Sequence, residues 1–150
     1  MPSPFRAPRA YRIAISSFFF IQGLTFASWA SRIPDIKNAL GLSDAAWGGI
    51  LLCLPIGQFF ALVLSGFLVT RYGSRIVLIT TSLLYPATLL LIGLASSPAW
   101  LIVALLLTGF FGNIYNIAVN TQAVGIEALY GRSIMASFHG LWSLAGFAGG

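Results

Sequence analysis

The sequence predicts an all-α membrane protein, a bundle of apolar helices with lipid as its solvent, and three observations predict it. Hydrophobic residues make up 58% of the chain, charged residues 7%, and the mean hydropathy is +0.91. A soluble domain carries about 25% charged residues because its surface must be wetted, and this chain lacks the polar surface to cover a water-soluble globule. The apolar residues also come in runs of about 20, the length that crosses a hydrocarbon core. Finally, the basic residues behind the net charge of +5 stand singly between these runs. They form no stripe or cluster of the kind a phosphate backbone needs, which sets nucleic acid aside. Cys53 is the sole cysteine, so neither a disulfide framework nor a thiol-rich metal site can form.

Residues 13–32, 46–70, 76–96 and 100–122 qualify as spans, and a fifth begins near Ile134 and runs to Gly150. At 1.5 Å per residue that fifth stretch reaches roughly 25 Å, short of the core thickness. The expectation is therefore a fragment, with further helices in a missing C-terminal half. After the first span, Pro34 suits the first turn of a short helix, Ile36 and Leu40 give it an apolar side, and Gly41 can close it. Ser43 then N-caps the second span, and Asp44 favours the positive end of its dipole. Residues 71–75 (Arg-Tyr-Gly-Ser-Arg) read as a tight polar turn before the third span, and Ser97-Pro98 as another before the fourth. Pro55 and Pro86 are expected to kink their helices, as membrane helices commonly tolerate.

Basic residues set the orientation. With the N-terminus inside, Arg6, Arg9, Arg12, Arg71, Arg75 and Arg132 are cytoplasmic, and only Arg32 and Lys37 fall outside. Aromatic residues, which prefer the interfaces, agree: Trp29, Trp47 and Trp100 lie near the outer boundary, and Tyr11, Tyr72 and Tyr130 near the inner one. A multi-pass membrane protein with a cytoplasmic N-terminus is the predicted topology. A cleaved secretory signal would use Arg6 to Arg12 as its basic region and Ser28-Trp29-Ala30 as its cleavage site. The long apolar run and the spans that follow favour an uncleaved first helix.

The helix faces carry the functional reading. The second span holds a small residue at every fourth position, Ala45, Gly49, Cys53, Gly57, Ala61 and Ser65, a smooth ridge that lets another backbone approach or slide past. In the fourth span, Gly109, Asn113, Asn116 and Asn120 fall within roughly 60° of one another at about 100° per residue. Amides in lipid are costly, so these either hydrogen-bond between helices or wall a polar cavity. The first span repeats the pattern with Gln22, Thr25, Trp29 and Arg32, though Trp29 also suits an interface anchor and Arg32 a boundary charge. In the fifth, His139, Ser143, Gly146 and Gly150 share a face with Trp142 close by. His139 is either a hydrogen-bonded structural residue or, with its pKa near neutrality, a proton carrier.

The segment from Gly66 to Arg75 (GFLVTRYGSR) resembles the signature loop of the major facilitator superfamily between helices two and three, G-x-L-x-D-R-x-G-R-[RK]. Gly66, Leu68, Arg71, Gly73 and Arg75 match it, and Gly66, Arg71, Gly73 and Arg75 are its candidate gating residues: Gly66 for close helix packing, Gly73 for the turn, the arginines for inner-face charge. Residues 27–34 (ASWASRIP) and 137–144 (SFHGLWSL) resemble a bacterial branch near the fucose-permease-type sugar transporters. The resemblance implies the N-terminal helix bundle of that fold, and transport by rocking of two bundles around a central site. Thr70 stands where the motif is acidic, which puts the family's usual gate in doubt and leaves Arg71 and Arg75 to pair elsewhere. Helices one and four lack the acid that proton-coupled sugar relatives carry there. Asp35 and Asp44 lie outside, Glu127 in the inner loop, and Asn116 can stand in the place of that acid. The proline-containing fifth-helix motif of drug antiporters is not evident.

The expected function is transport of a small polar solute, possibly a sugar, with Gln22, Asn113, Asn116 and Asn120 as the main contacts and Trp29, Arg32, His139 and Trp142 around them. Partners are the solute, the bilayer and the missing half; no cofactor or metal is expected. A non-transporting scaffold is the alternative. An intramembrane enzyme has little to work with, since one His, one Cys and no carboxylate within a span supply neither a metal cluster nor a clear nucleophile and base.

Overall fold

Every backbone N–H and C=O within a bilayer must find a partner inside the protein, and apolar runs of this length meet that demand as helices. The computed structural model describes residues 6–150, with side chains from Arg9 onward, and among them it contains helices and no strands. The helices are α1 (Arg6–Ala30), α2 (Ile33–Ala39), α3 (Asp44–Leu51), α4 (Cys53–Tyr72), α5 (Ser74–Gly93), α6 (Pro98–Tyr130) and α7 (Met135–Gly149). Four stretches are long and apolar enough to cross a membrane: Arg9–Ala39, Asp44–Tyr72, Ser74–Gly93 and Pro98–Tyr130.

The breaks follow the sequence signals closely. Pro34 lies in the first turn of α2, and Gly41 (φ +61°) follows it. The Ser43 hydroxyl accepts the Ala46 N–H at 3.2 Å, so the second span begins at Asp44, two residues before the expected start. That span is interrupted at Leu52, three residues ahead of Pro55, whose missing N–H leaves the Leu51 carbonyl without its helical donor. The expected five-residue turn at 71–75 shrinks to one residue, because Gly73 at φ +81° reverses the chain alone and both helices run up to it. Ser97 caps α6 through the Trp100 N–H at 3.3 Å, with Pro98 in the first turn.

Two expectations about extent need correction. The third span ends at Gly93, not residue 96, with Leu94 closing it. The fourth runs on to Tyr130, making a 33-residue helix about 50 Å long. Glu127 is therefore in the last turn of α6 and not in a loop. Its Oε2 accepts N–H bonds from Ile134 at 2.7 Å and Met135 at 2.8 Å and the Ser133 hydroxyl at 3.3 Å. A carboxylate at a helix start satisfies donors that have no helical partner and opposes the helix dipole, so Glu127 anchors α7 to α6. Between them Gly131 (φ +61°) ends α6 in the left-handed conformation that favours glycine. Glu127→Ala is expected to speed amide hydrogen exchange at Ile134 and Met135 while leaving exchange at the Ser97 cap unchanged. Equal protection in the variant would remove the anchor role.

The helices associate as two tight pairs, α4 with α6 and α1 with α7, and α5 covers α6. Glycines explain the pairing. A Cβ on Gly57 would overlap the Leu106 carbonyl oxygen and lie 3.0 Å from its carbon, and a Cβ on Gly109 would overlap the Leu54 carbonyl oxygen. The α1/α7 pair repeats this arrangement: Gly23 abuts the Trp142 carbonyl, and a Cβ on Gly149 would be 3.2 Å from the Leu24 carbonyl oxygen. Only part of the predicted ridge makes this seam: Gly57, Ala61 and Ser65 are buried, whereas Ala45 and Gly49 are exposed. Gly66 also faces open space within this chain, with nothing within 4 Å of a Cβ there, so the close packing expected at Gly66 is absent from the bundle described.

Apolar side chains fill both ends. Phe19, Tyr115, Val119 and Phe138 centre one cluster at the end carrying Arg12, and Trp29, Trp47, Leu101 and Leu105 centre the other. Phe59, Phe60, Val63, Leu83, Leu90 and Phe147 instead point outward, the inside-out pattern that lipid permits.

Candidate functional site

The middle of the bundle, between the two apolar clusters, is where α6 turns its amides. Gly109 lets α4 approach, and the next turn of α6 then lies beside Gln58. There Asn113 Nδ2 donates to the Gln58 backbone carbonyl at 3.0 Å. One turn on, Asn116 Oδ1 accepts from Gln22 Nε2 of α1 at 3.3 Å and from Asn120 Nδ2 at 3.0 Å. Asn120 Nδ2 also donates to the Asn116 backbone carbonyl at 2.8 Å. Interhelical hydrogen bonds thus use one end of Asn113 and of Asn116, whereas Asn120 bonds within α6.

Gln22, Asn113 and Asn116 line a cavity of about 440 Å³, within the usual range for small-molecule sites. Helix α1 contributes Gln22, Phe26 and Trp29, α4 contributes Leu54, Pro55 and Gln58, and α5 contributes Tyr85. Helix α6 adds Thr108, Gly112, Asn113 and Asn116, and α7 adds Trp142. Among the described residues no charged side chain lines it. The Phe26 and Trp142 rings are 5.8 Å apart and form an aromatic corner. Gly112 makes room for Tyr85, whose ring carbon would lie 2.9 Å from a Cβ at that position. Gln22, Tyr85 and Asn113 retain unpaired polar atoms, and no unexposed side chain here hides an unpaired one from the surface. Their free polar atoms are therefore accessible, with the cavity beside them.

Two larger spaces, about 610 and 640 Å³, lack this chemistry. The first lies by Ser28, Arg32 and Asp35 and is closed by Gly149 and Gly150. The second is a mainly apolar groove between α1, α5 and α6, with Arg75 at its rim. Neither gathers the amides, so size is not the guide here.

Of the residues expected to contact solute, Gln22, Trp29, Asn113, Asn116 and Trp142 converge on the 440 Å³ cavity. Asn120 does not line it and touches Asn116 instead. Arg32 lies at the far end of the bundle beside Asp35. His139 is exposed, with its ring edge-on to Phe19 at 5.2 Å. Thr25 is buried and bonded to the Ile21 carbonyl at 2.8 Å. The motif residues Gly66, Arg71, Gly73 and Arg75 are all exposed at the opposite end of α4 from Leu54 and Pro55, with no carboxylate within ion-pair distance of either arginine among the described residues.

Sequence reasoning missed Gln58, Tyr85, Phe26, Thr108 and Gly112. Gln58 had a readable signal, an amide isolated in an apolar span; Gly112 had none, because its value lies in what sits opposite it. Charge is confined to the ends of the bundle. Lys37 and Asp44 pair across α2 and α3, but Asp44 is 94% exposed, so the bond adds little stability.

Comparison with known proteins adds a second line. Residues 10–147 match the family model for sugar (and other) transporters. An uncharacterised MFS-type transporter of Yersinia pestis is 40% identical over 131 residues, covering 87% of this chain and 34% of its own. Membrane protein MosC of Rhizobium meliloti is 35% identical over 136 residues, 91% of this chain and 33% of its own. An uncharacterised transporter of Sinorhizobium fredii is 30% identical over 139 residues, 91% of this chain and 37% of its own. The chain thus spans about a third of the length of these relatives, and their names do not bear on the fucose-permease likeness. No solved structure matches it.

Proposed function

This chain belongs to the major facilitator superfamily, in the family of sugar (and other) transporters, and from that premise we propose that it forms one wall of a pathway for a small, uncharged, hydroxyl-bearing solute, a sugar being the class that fits. The observation that carries this reading is the 440 Å³ cavity lined by amides, a phenol and aromatic rings with no charged side chain. A charged solute would lose its hydration there without a countercharge, which costs far more than amide hydrogen bonds return. A hydroxyl can donate and accept and so satisfies free amide ends of either kind. The aromatic corner of Phe26 and Trp142 offers an apolar surface for a ring face.

The remaining wall belongs to a second helix bundle supplied by sequence beyond this chain, in keeping with its coverage of about a third of its relatives. The two bundles rock about the solute. The basic residues at the Arg12 end support a cytoplasmic N-terminus, and the bacterial relatives support a bacterial inner-membrane location. This is transport without covalent chemistry, and no catalytic residue is assigned.

Uptake by the intact protein in proteoliposomes tests this. A panel of neutral monosaccharides is set against sugar phosphates and amino acids. At least one neutral sugar is expected to saturate uptake, and Asn113→Ala and Asn116→Ala each raise its KM roughly 2- to 12-fold, the equivalent of one lost hydrogen bond. Uptake confined to charged solutes, or an unchanged KM in both variants, refutes the assignment.

A further inference from the structure

The orientation of an amide is ordinarily ambiguous, since its oxygen and nitrogen are alike in shape. Here backbone carbonyls remove the ambiguity. A carbonyl only accepts, so the atom of Asn120 at 2.8 Å from the Asn116 backbone oxygen is the nitrogen. That same nitrogen lies 3.0 Å from the Asn116 side chain, which must present its oxygen to it. The oxygen in turn faces the Gln22 nitrogen at 3.3 Å. Asn116 Oδ1 now holds two donors, and its Nδ2 has no partner among the described residues. Gln22 keeps its Oε1 free. Asn113 is fixed separately, by its donation to the Gln58 backbone carbonyl at 3.0 Å, and keeps its Oδ1 free.

We infer that Asn120, which does not itself line the cavity, is a positioning residue that turns the donor end of Asn116 toward the solute, so that the wall offers one amide donor at Asn116 and amide acceptors at Gln22 and Asn113. This inference rests on the proposal that the cavity binds a hydroxyl-bearing solute. It goes further by assigning the sense of each bond: the solute presents an acceptor to Asn116 and donors to Gln22 and Asn113. The order is relayed outward from one helix carbonyl, through Asn120 and Asn116 to Gln22, and so also joins α6 to α1.

Fluorine reads this polarity, because a deoxyfluoro sugar keeps an acceptor where the hydroxyl stood and loses the donor. The probes are the transported monosaccharide of the neutral panel and its set of monofluoro analogues, and the readout is the KM of each analogue divided by that of the parent in the same protein. In the unaltered intact transporter at least one fluorinated position keeps a ratio near one, the position that faces Asn116, while others rise. Asn120→Asp replaces the donor with a carboxylate, which draws the Asn116 nitrogen toward itself and turns its oxygen to the solute. The ratio at the tolerated position is then expected to rise roughly 5- to 12-fold. A general loosening of the fold moves the parent and analogue together and leaves the ratio alone.

Should Asn120→Asp not accumulate, Asn120→Ala serves. With Asn116 free to take either orientation, fluorine matches only one, and the ratio rises about twofold. An unchanged ratio in the variant that is measured, or the absence of any tolerated fluorine position in the unaltered protein, overturns the inference while leaving sugar uptake intact. If no neutral sugar is taken up, the transport proposal itself fails, and this inference falls with it.

Discussion

Leucine in place of Gly57 or Gly109 is expected to leave no folded protein to purify, and alanine to lower stability by on the order of 3 kcal/mol at either position. The reason lies in what the added atom meets. At Gly57 a Cβ would overlap the Leu106 carbonyl oxygen, with the Phe110 backbone nitrogen 3.0 Å away; at Gly109 it would overlap the Leu54 carbonyl oxygen, with the Gln58 nitrogen at 3.2 Å. A side chain can rotate out of the way, but these neighbours are helix backbone, so α4 and α6 must separate. Separation would also break the bond from Asn113 to the Gln58 carbonyl and open the cavity wall. Gly49→Ala is the control. Its Cβ would meet nothing within 4 Å in this chain, and alanine is a better helix former than glycine by up to about 1 kcal/mol. Thermal unfolding midpoints of the intact protein in detergent decide the matter. Equal midpoints for Gly57→Ala and Gly49→Ala would show that the seam is not close-packed.

Much of this fold was legible because bilayer physics leaves few options. Length, apolarity and punctuation by Ser43, Gly73 and Ser97 located the breaks between helices to within a few residues. The 3.6-residue period placed Asn113 and Asn116 together, and the cost of amides in lipid marked them as candidates; both line the 440 Å³ cavity. What escaped depends on distance in space. The small-residue ridge runs from Ala45 to Ser65 in sequence, yet only its Gly57–Ser65 half meets α6, since the interruption at Leu52 separates α3 from α4. Asn120 shares the stripe but falls one turn past the cavity, and His139 shares a face with Ser143 yet is exposed and does not line the cavity. The continuation of α6 to Tyr130 is missed when the span ends at Gln122 and Glu127 counts as a loop charge; the residues around it are apolar, and its carboxylate accepts the Ile134 and Met135 N–H groups from the last turn of the helix.

The two seams bear on mechanism. The ridge reads in sequence first as close packing and second as a surface for sliding; reciprocal glycine-to-carbonyl contacts in α4/α6 and α1/α7 agree with close packing. Between the pairs, the apolar cluster around Phe19, Tyr115, Val119 and Phe138 is joined by hydrogen bonds. Tyr115 donates to the Phe18 carbonyl at 2.7 Å and Gln22 to Asn116 at 3.3 Å. The 440 Å³ cavity lies where α1 and α7 meet α4 and α6.

Asn116→Asp is expected to have the largest effect on transport of any single change in the cavity, and to make uptake depend on pH. Asn116 Oδ1 already accepts from Gln22 and Asn120, so a carboxylate there keeps both bonds and substitutes an acceptor oxygen for the Nδ2 donor. When ionised it has no proton to give, and a solute oxygen facing it meets an acceptor instead of a donor. Leaving that pair unsatisfied raises KM for the neutral solute roughly 10- to 100-fold. Protonation restores an O–H donor at the same place. The sign follows: as pH falls through the pKa of the new carboxyl, the KM of the variant approaches that of the unaltered protein, and as pH rises the two diverge. The quantity to measure is the ratio of the two KM values across pH, since titrating groups elsewhere in the transporter act on both proteins and cancel. A ratio that stays flat would mean that residue 116 does not donate to the solute. A ratio that climbs with pH places the donor of the binding site on this face of α6.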